Sequence, residues 1–230
     1  MEAIAESHAV VGYGPYLDAI QDLTEGKQRL ASGMTHEVQR CRQALQMAAA
    51  GEVVALVSSG DPGVYGMAGL ALELAEAEGI HVPTEIVPGV TAASAAAAAL
   101  GAPLMLDFAV ISLSDLLISW DVIRRRLKAV AEADLVAVLY NPRSRKRDWQ
   151  LSEAIGIFQG VRSGSTPVGI VSAAGQSGQS VIVTDLDHAL EKPVDMRSVV
   201  IIGNSGTRRI DSWIVTARGY LNSPTREPPP

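Results

Sequence analysis

The chain has 230 residues, of which 47% are hydrophobic, 19% are charged and 4% are aromatic, and its formal net charge is −6. This composition predicts one large or two smaller globular domains. The negative net charge and the small number of aromatic residues argue against a nucleic-acid-binding module. The single cysteine, Cys41, excludes an intramolecular disulfide and argues against a cysteine-based zinc site. With no signal peptide and no apolar run of about twenty residues, we expect a soluble cytoplasmic protein without a membrane partner.

The N-terminal half alternates strand-like and helix-like segments, which is typical of a doubly wound sheet. Thr35–Ala50 is predicted to be a helix, and Glu52–Val57 a buried parallel strand that ends in Ser-Ser-Gly. The next helix is predicted over Val64–Glu78, the next strand over Thr84–Val87, and an Ala-rich helix over Thr91–Leu100. The apolar face of the first helix is expected to carry Val38, Cys41, Leu45 and Ala48 or Ala49.

The second half contains more strand-like than helix-like segments, which predicts a mixed sheet. Leu104–Trp120 breaks the alternation and is expected to join two domains, residues 1–111 and 112–221, with a disordered Pro-rich tail over 222–230. Helices are predicted over Asp121–Ala133 and Leu151–Val161. Strands are predicted over Leu135–Tyr140, Val168–Ser172, Val181–Thr184, Val199–Gly203 and Trp213–Thr216.

Four turns share one position, directly after a strand-like segment: Ser59–Gly66, Pro88–Ala92, Tyr140–Ser144 and Gly203–Gly206. In open α/β sheets, ligands bind outside the carboxyl ends of strands, and glycines there let a ligand approach the backbone. The sequence has no phosphate-binding loop, nucleophile elbow or H-E-x-x-H motif, and its four histidines are scattered. We therefore expect a small-molecule crevice whose chemistry needs neither a metal nor a covalent nucleophile, as in methyl transfer from a sulfonium.

The order of two of these turns resembles the tetrapyrrole methylase family. Gly60-Asp61-Pro62 precedes Pro88-Gly89-Val90-Thr91-Ala92, as the G-D-P and P-G-[VI]-[TS]-A motifs do in that family. Narrower motifs resemble the branch of the family that methylates C17 of precorrin-3B. They are Ser59–Gly69, Ile111–Leu117, Tyr140–Arg145, Val194–Met196, Gly203-Asn204 and Thr216–Tyr220.

The resemblance covers nearly the whole chain and implies a two-domain α/β fold, with a mainly parallel N-terminal sheet and a mixed C-terminal sheet. It implies a homodimeric, S-adenosyl-L-methionine (SAM)-dependent methyltransferase of cobalamin biosynthesis. The reaction would methylate C17 of the tetrapyrrole precorrin-3B, or of cobalt-precorrin-3, with ring contraction. The residues expected to bind the cofactor are Gly60, Asp61, Val64, Tyr65, Gly66, Thr91, Ala92, Tyr140, Asn141, Pro142, Ala173, Gly203 and Asn204. Those expected to bind the substrate are Ser112, Ser114, Arg143 and Arg145, and the acid–base candidates are Asp61, Tyr65 and Asp115.

These residues also have structural interpretations that the sequence leaves open. Asp61 suits a turn, Tyr65 a core aromatic at a helix start, and Thr91 a helix N-cap. The Ser112–Asp115 segment suits a cap before two leucines. The basic run Arg143–Arg147 suits either substrate carboxylates or a solvated loop.

The resembled family opens with a strand and a G-x-G-P-G loop that contacts SAM, and the sequence departs from that pattern. Met1–Ala5 resembles the helix that follows the loop, so the first strand and the loop are expected to be missing. Gly12–Pro15 is interpreted as part of the next element, because Tyr16 stands where a third glycine is needed. Three alternatives stay open: a non-catalytic corrinoid-binding protein, a sister tetrapyrrole methylase or an RNA-modifying relative, and a sugar-phosphate enzyme.

Overall fold

The computed structural model describes residues 1–144 and 147–220, and the chain divides into two compact units between Thr91 and Ala92. The division comes earlier than the expected boundary at residue 111, because the Ala-rich helix and the segment after it pack within the second unit. The expected disordered tail, residues 222–230, lies outside the described residues. Among the described residues, no helix combines the length and apolar character needed to cross a membrane.

Unit 1 contains a three-stranded parallel sheet in the order β2-β1-β3. The central strand is buried on both sides, since Ala9, Val10 and Val11 have no exposed surface, as expected of an apolar strand between two parallel neighbours. A Cβ at Gly12 would lie 2.8 Å from a methyl of Leu17, so the glycine lets the next helix turn back closely onto the strand. The elements are α1 (Glu2–Glu6), β1 (Ala9–Tyr13), α2 (Gly14–Asp18), β2 (Gln28–Ser32), α3 (Glu37–Ala49), β3 (Val54–Val57) and α4 (Ala68–Ala77).

Helix α3 confirms the predicted helix but presents a different face to the core. Cys41 and Leu45 are buried as expected, whereas Val38 is 47% exposed. Arg40 is buried in its place and is only 4% exposed. The expectation that Val38 lies on the buried face was therefore wrong, because polar partners at the end of β2 draw the Arg40 side chain inward.

The strand predicted over Thr84–Val87 does not form, and this prediction was wrong. The backbone has no regular pairing there, and Ile86 and Val87 are 45% and 44% exposed. A strand requires a neighbour for its N–H and C=O groups, and the order β2-β1-β3 leaves the outer edge of β3 without a paired strand among the described residues. Helix α4 also begins later than predicted, because residues before Ala68 form turns around Pro62 and Gly63.

Unit 2 contains a five-stranded mixed sheet in the order β5-β6-β9-β7-β8 and a three-stranded sheet in the order β10-β11-β4. The predicted mixed sheet is confirmed, and β4, β5 and β10 are strands that the sequence did not predict. β5 and β6 are parallel, whereas β9 is antiparallel to both β6 and β7. The elements are α5 (Ala92–Leu100), β4 (Gly101–Ala102), β5 (Phe108–Ser112), α6 (Trp120–Glu132), β6 (Val136–Tyr140), α7 (Gln150–Gln159), β7 (Pro167–Ser172), β8 (Ser180–Asp185), β9 (Ser198–Ile202), β10 (Thr207–Ile210) and β11 (Trp213–Thr216).

Helices cover both faces of the five-stranded sheet. α6 and α7 pack on one face, where Leu127 and Phe158 are fully buried, and α5 packs on the other. α5 comes close because a Cβ at Gly169 would lie 2.3 Å from a methyl of Leu100. This layered core fixes the ends of the strands from which the candidate site of unit 2 is built.

Candidate functional site

In unit 1, the Asp61 carboxylate joins the two predicted cofactor turns. Its Oδ1 accepts a hydrogen bond from the N–H of Gly63 at 2.8 Å, and its Oδ2 accepts one from the N–H of Gly89 at 3.0 Å. These bonds favour the charged form, and the Gly89 bond is the largest reason why the pKa of Asp61 is lowered. At neutral pH Asp61 is therefore an ionised acceptor and not a proton donor.

Close packing explains why both turns carry glycines. A Cβ at Gly89 would lie 2.0 Å from the carbonyl oxygen of Gly60, and a Cβ at Gly66 would lie 2.6 Å from that of Pro62. No side chain fits at these distances, so the Gly60–Pro62 turn and residue 89 meet backbone against backbone. Residues predicted from two separate motifs are thus brought together within unit 1.

Tyr65 and its neighbours stand at the exposed side of this cluster. Tyr65 has a left-handed backbone, with φ of 53°, and is 56% exposed, so it is not the core aromatic that the sequence left open. Val64 is 36% exposed, and Thr91 is partly exposed at the end of the unit. The Met67 N–H donates to Ser58 Oγ at 3.1 Å, which anchors the last turn before α4.

In unit 2, three strands end at the same edge of the sheet. β5 is parallel to β6, with Ser112 opposite Tyr140, and β7 runs in the same direction because both β6 and β7 are antiparallel to β9. Asn141 Nδ2 donates to Ser112 Oγ at 2.9 Å. Asn141 and Ala173, which follow β6 and β7, both have left-handed backbones with φ of 50°. Predicted substrate and cofactor residues therefore converge at this edge, with Pro142 buried beside them.

Tyr140 connects this edge to the start of α5. Its hydroxyl accepts a hydrogen bond from the Ala93 N–H at 2.7 Å, which satisfies one of the amide groups left open at a helix start. Ala92 is the first residue of that helix. The tyrosine side chain is thus used structurally, and what remains available to a ligand is mainly the turn after it.

Arg147 is buried at this edge, although the sequence marked it only as the last residue of the basic run Arg143–Arg147 and not as a separate site residue. It is 7% exposed, and its guanidinium donates to Ser114 Oγ at 3.3 Å and to the Asn141 carbonyl at 3.0 Å. The basic run was the only signal for it in the sequence. Of the predicted substrate arginines, Arg143 is exposed, and Arg145 lies outside the described residues.

Asp115 follows the same edge and is held by α7. Its Oδ2 accepts a hydrogen bond from Gln150 Nε2 at 3.0 Å, and Ser114 before it is tied to Ser112 Oγ through its N–H at 3.2 Å. Asp115 as a residue is partly exposed, and its carboxylate is a fixed hydrogen-bond acceptor.

The structure does not bring Gly203 and Asn204 to the other predicted cofactor residues of unit 2. They follow β9, and because β9 is antiparallel to β6 its carboxyl end lies at the opposite edge from Tyr140. Asn204 is 5% exposed, its Nδ2 donates to the Asp134 carbonyl at 3.1 Å, and its Oδ1 accepts from the Gly206 N–H at 3.0 Å. The side chain stabilises a turn.

The chain is similar to known methyltransferases. The family model described as Tetrapyrrole (Corrin/Porphyrin) Methylases matches residues 1–190. A probable cobalt-factor III C(17)-methyltransferase from Salmonella typhimurium is 46% identical over 220 residues, which cover 96% of this chain and 91% of that protein. A precorrin-3B C(17)-methyltransferase from a Sinorhizobium species is 45% identical over 213 residues, which cover 91% of this chain and 84% of that protein.

A longer relative and a solved structure extend the comparison. A cobalt-factor III methyltransferase from Priestia megaterium is 43% identical, but the matched region is only 41% of that protein, so the chain spans less than half of its length. The crystal structure of the methyltransferase CobJ superposes with a TM-score of 0.88 at 39% identity, covering 94% of this chain and 91% of that chain. With a family model that matches most of its length and relatives well above 30% identity, the chain belongs to the tetrapyrrole (corrin/porphyrin) methylase family.

Proposed function

We propose that this chain methylates C17 of precorrin-3B, or of its cobalt-containing counterpart, with SAM as the methyl donor and with ring contraction, in cobalamin biosynthesis. The observation that carries the proposal is the 46% identity to the Salmonella relative over 96% of this chain and 91% of that one. Similarity of this extent includes most of both units.

The carboxyl-end edge of unit 2 suits the adenosyl end of SAM, a donor that supplies a methyl group already activated on a sulfonium. The donor carries no phosphate, so a basic glycine loop is not required. Neutral groups and exposed backbone suit it better, and the edge offers Ser112 Oγ with the left-handed turns at Asn141 and Ala173. Successive backbone amides in such turns form concave hydrogen-bonding sites.

The side chains divide into positioning groups and acid–base candidates. Asp61 holds the two turns of unit 1 together, and its lowered pKa keeps it ionised at neutral pH. Arg147 holds the Asn141 turn against Ser114. Tyr65 and Asp115 remain as the groups that can move a proton during ring contraction, because both are accessible at their sites.

An anaerobic assay tests the proposal directly. The full chain is incubated with SAM and either precorrin-3B or its cobalt-containing counterpart, and we expect product whose mass has increased by one methyl group. The ratio of the two rates identifies which substrate is used. If neither substrate is methylated and S-adenosylhomocysteine does not bind in calorimetry, the proposal is wrong, and retained binding of the tetrapyrrole alone would point to a non-catalytic corrinoid-binding protein.

Asp115→Asn and Tyr65→Phe separate the two acid–base candidates. The variant that removes the required proton is expected to bind S-adenosylhomocysteine normally and to lose at least about a hundredfold in turnover. Normal turnover in both variants would show that neither side chain moves the proton.

We also infer that the chain works as a homodimer, which is what the family resemblance implies. Light scattering on the purified chain tests the assembly. A mass corresponding to a single chain at micromolar concentration would contradict it.

A further inference from the structure

Unit 1 contains a cavity of about 180 Å³ at the carboxyl ends of its three strands. Tyr13 ends β1, Met34 follows β2 and Ser58 follows β3, and all three line the cavity. Parallel α/β sheets bind small ligands outside the carboxyl ends of their strands. The cavity is therefore in the position where a ligand group is expected.

A buried cation faces this cavity. Arg40 lines it and is 4% exposed, and its Nε and Nη2 donate to Ser32 Oγ and to the Gly33 carbonyl, each at 2.8 Å. Its Nη1 has only the Met67 thioether, at 3.8 Å. None of the ion pairs among the described residues includes Arg40. Because a buried charge without an ion-pair partner is costly, the guanidinium has unused capacity for an anionic partner.

The other groups in the wall restrict the kind of anion. Tyr13 and Tyr16 pack edge to face with ring centroids 5.1 Å apart, and Arg40 Cζ lies 6.0 Å from the centroid of the Tyr13 ring. Glu37 also lines the cavity, and its Oε1 accepts a hydrogen bond from the Thr35 N–H at 3.2 Å. Arg40 and Glu37 together supply no net positive charge, so a doubly charged phosphate would leave more uncompensated negative charge in the cavity than a singly charged carboxylate. The wall thus favours a carboxylate beside aromatic or apolar surface.

We propose that this cavity binds a carboxylate group of a reactant, with Arg40 as its counter-charge. The inference rests on the proposed function, because both reactants carry carboxylates: the peripheral side chains of the tetrapyrrole and the amino-acid end of SAM. The charge of Glu37 distinguishes them. It repels a plain carboxylate, whereas it attracts the ammonium that accompanies the carboxylate of an amino acid.

The test is calorimetric binding of two probes to the full chain, S-adenosylhomocysteine for the cofactor and uroporphyrin as a stable polycarboxylic tetrapyrrole. Arg40→Met is expected to weaken binding of one probe about tenfold to a hundredfold, the usual loss for a charged hydrogen bond. Arg40→Lys should restore part of it. Arg42→Met is the matched control on the same helix, because Arg42 pairs with Glu78 and does not line the cavity, and it should leave both affinities unchanged.

Glu37→Gln identifies the carboxylate and serves as the second variant if Arg40→Met fails to fold. If the cavity binds a tetrapyrrole carboxylate, this variant should bind uroporphyrin a few-fold more tightly. If the cavity binds the amino-acid end of the cofactor, the variant should bind S-adenosylhomocysteine a few-fold more weakly. The inference would be overturned if folded Arg40→Met binds both probes within about twofold of wild type. If Arg40→Met does not fold, the same result in Glu37→Gln would overturn it. Absence of binding to the wild-type chain would instead remove the proposed function and this inference together.

Discussion

The Asp61 carboxylate accepts a hydrogen bond from the Gly89 N–H at 3.0 Å, across 28 residues of sequence. The same carboxylate accepts the Gly63 N–H within its own turn. One side chain therefore determines the relative position of two motifs that mark the family. This makes Asp61 a positioning residue, and the first predictions concern what its removal does.

Asp61→Asn should leave the chain folded and weaken binding of S-adenosylhomocysteine. The amide has only one acceptor oxygen, so either the Gly63 or the Gly89 N–H must lose its partner. Hydrogen exchange at the Gly63 or the Gly89 amide should accelerate, and calorimetry should show about a tenfold loss of affinity. Unchanged exchange at both amides together with unchanged affinity would return Asp61 to the role of a local turn former.

The contribution of Asp61 to the free energy of unfolding should decrease as the pH falls into the acid range. Because its folded-state pKa is lowered, the stabilisation is present above the ordinary Asp pKa of about 3.9 and is lost as the pH falls through the folded-state value. The difference in free energy of unfolding between wild type and Asp61→Asn should thus be constant near neutral pH and shrink in acid. Urea titrations over that range measure it, and a difference that grows in acid would contradict the hydrogen bonds described.

Gly89→Ala should be strongly disruptive, whereas Gly69→Ala should not. A Cβ at residue 89 would overlap the Gly60 carbonyl at 2.0 Å, and a Cβ at residue 69, on α4, meets nothing within 4 Å. We expect Gly89→Ala to lower the free energy of unfolding by about 2 kcal/mol or more, and Gly69→Ala to change it little or raise it by up to about 1 kcal/mol. Equal effects of the two substitutions in urea denaturation would be inconsistent with the close approach.

Asn204→Ala and Asn141→Ala test which edge of the unit 2 sheet binds the cofactor. Asn204 lies at the edge opposite Tyr140, so its replacement should reduce stability by about 1–3 kcal/mol and leave the affinity for S-adenosylhomocysteine unchanged. Asn141→Ala removes the bond to Ser112 and should reduce that affinity. A loss of affinity in Asn204→Ala at unchanged stability would restore the sequence-based prediction for that residue.

The sequence was sufficient to predict where most strands lie, but not which strands pair with one another. Apolar runs located β6, β7, β8, β9 and β11 within one or two residues, since local pattern determines where a strand lies. The pattern at Thr84–Val87 also predicted a strand, yet no strand formed, because pairing depends on a partner that local pattern does not reveal. The direction of β9 was hidden for the same reason, so the sequence could not show that Gly203 and Asn204 lie at the edge opposite Tyr140.

The family motifs predicted which turns carry candidate site residues, but not which charged side chains are buried. Gly60 and Asp61 come from one motif and Gly89 from another, and the hydrogen bond between Asp61 and Gly89 could only be seen in three dimensions. The burial of Arg40 and Arg147 was not predicted, because arginine in a helix or a basic run is normally exposed. Each is buried by the same kinds of partner: a serine hydroxyl, a loop carbonyl and a methionine sulfur.

The two outer strands of the unit 1 sheet differ in how they are protected. β2 carries the exposed Arg29, which pairs with Asp18, and charged side chains of this kind discourage further strand addition. β3 is Val-Ala-Leu-Val, without a charge, and its outer edge is not paired with a described strand. In concentrated solution, self-association should therefore begin by edge-to-edge β-pairing at β3, and a lysine introduced on that strand should improve colloidal behaviour.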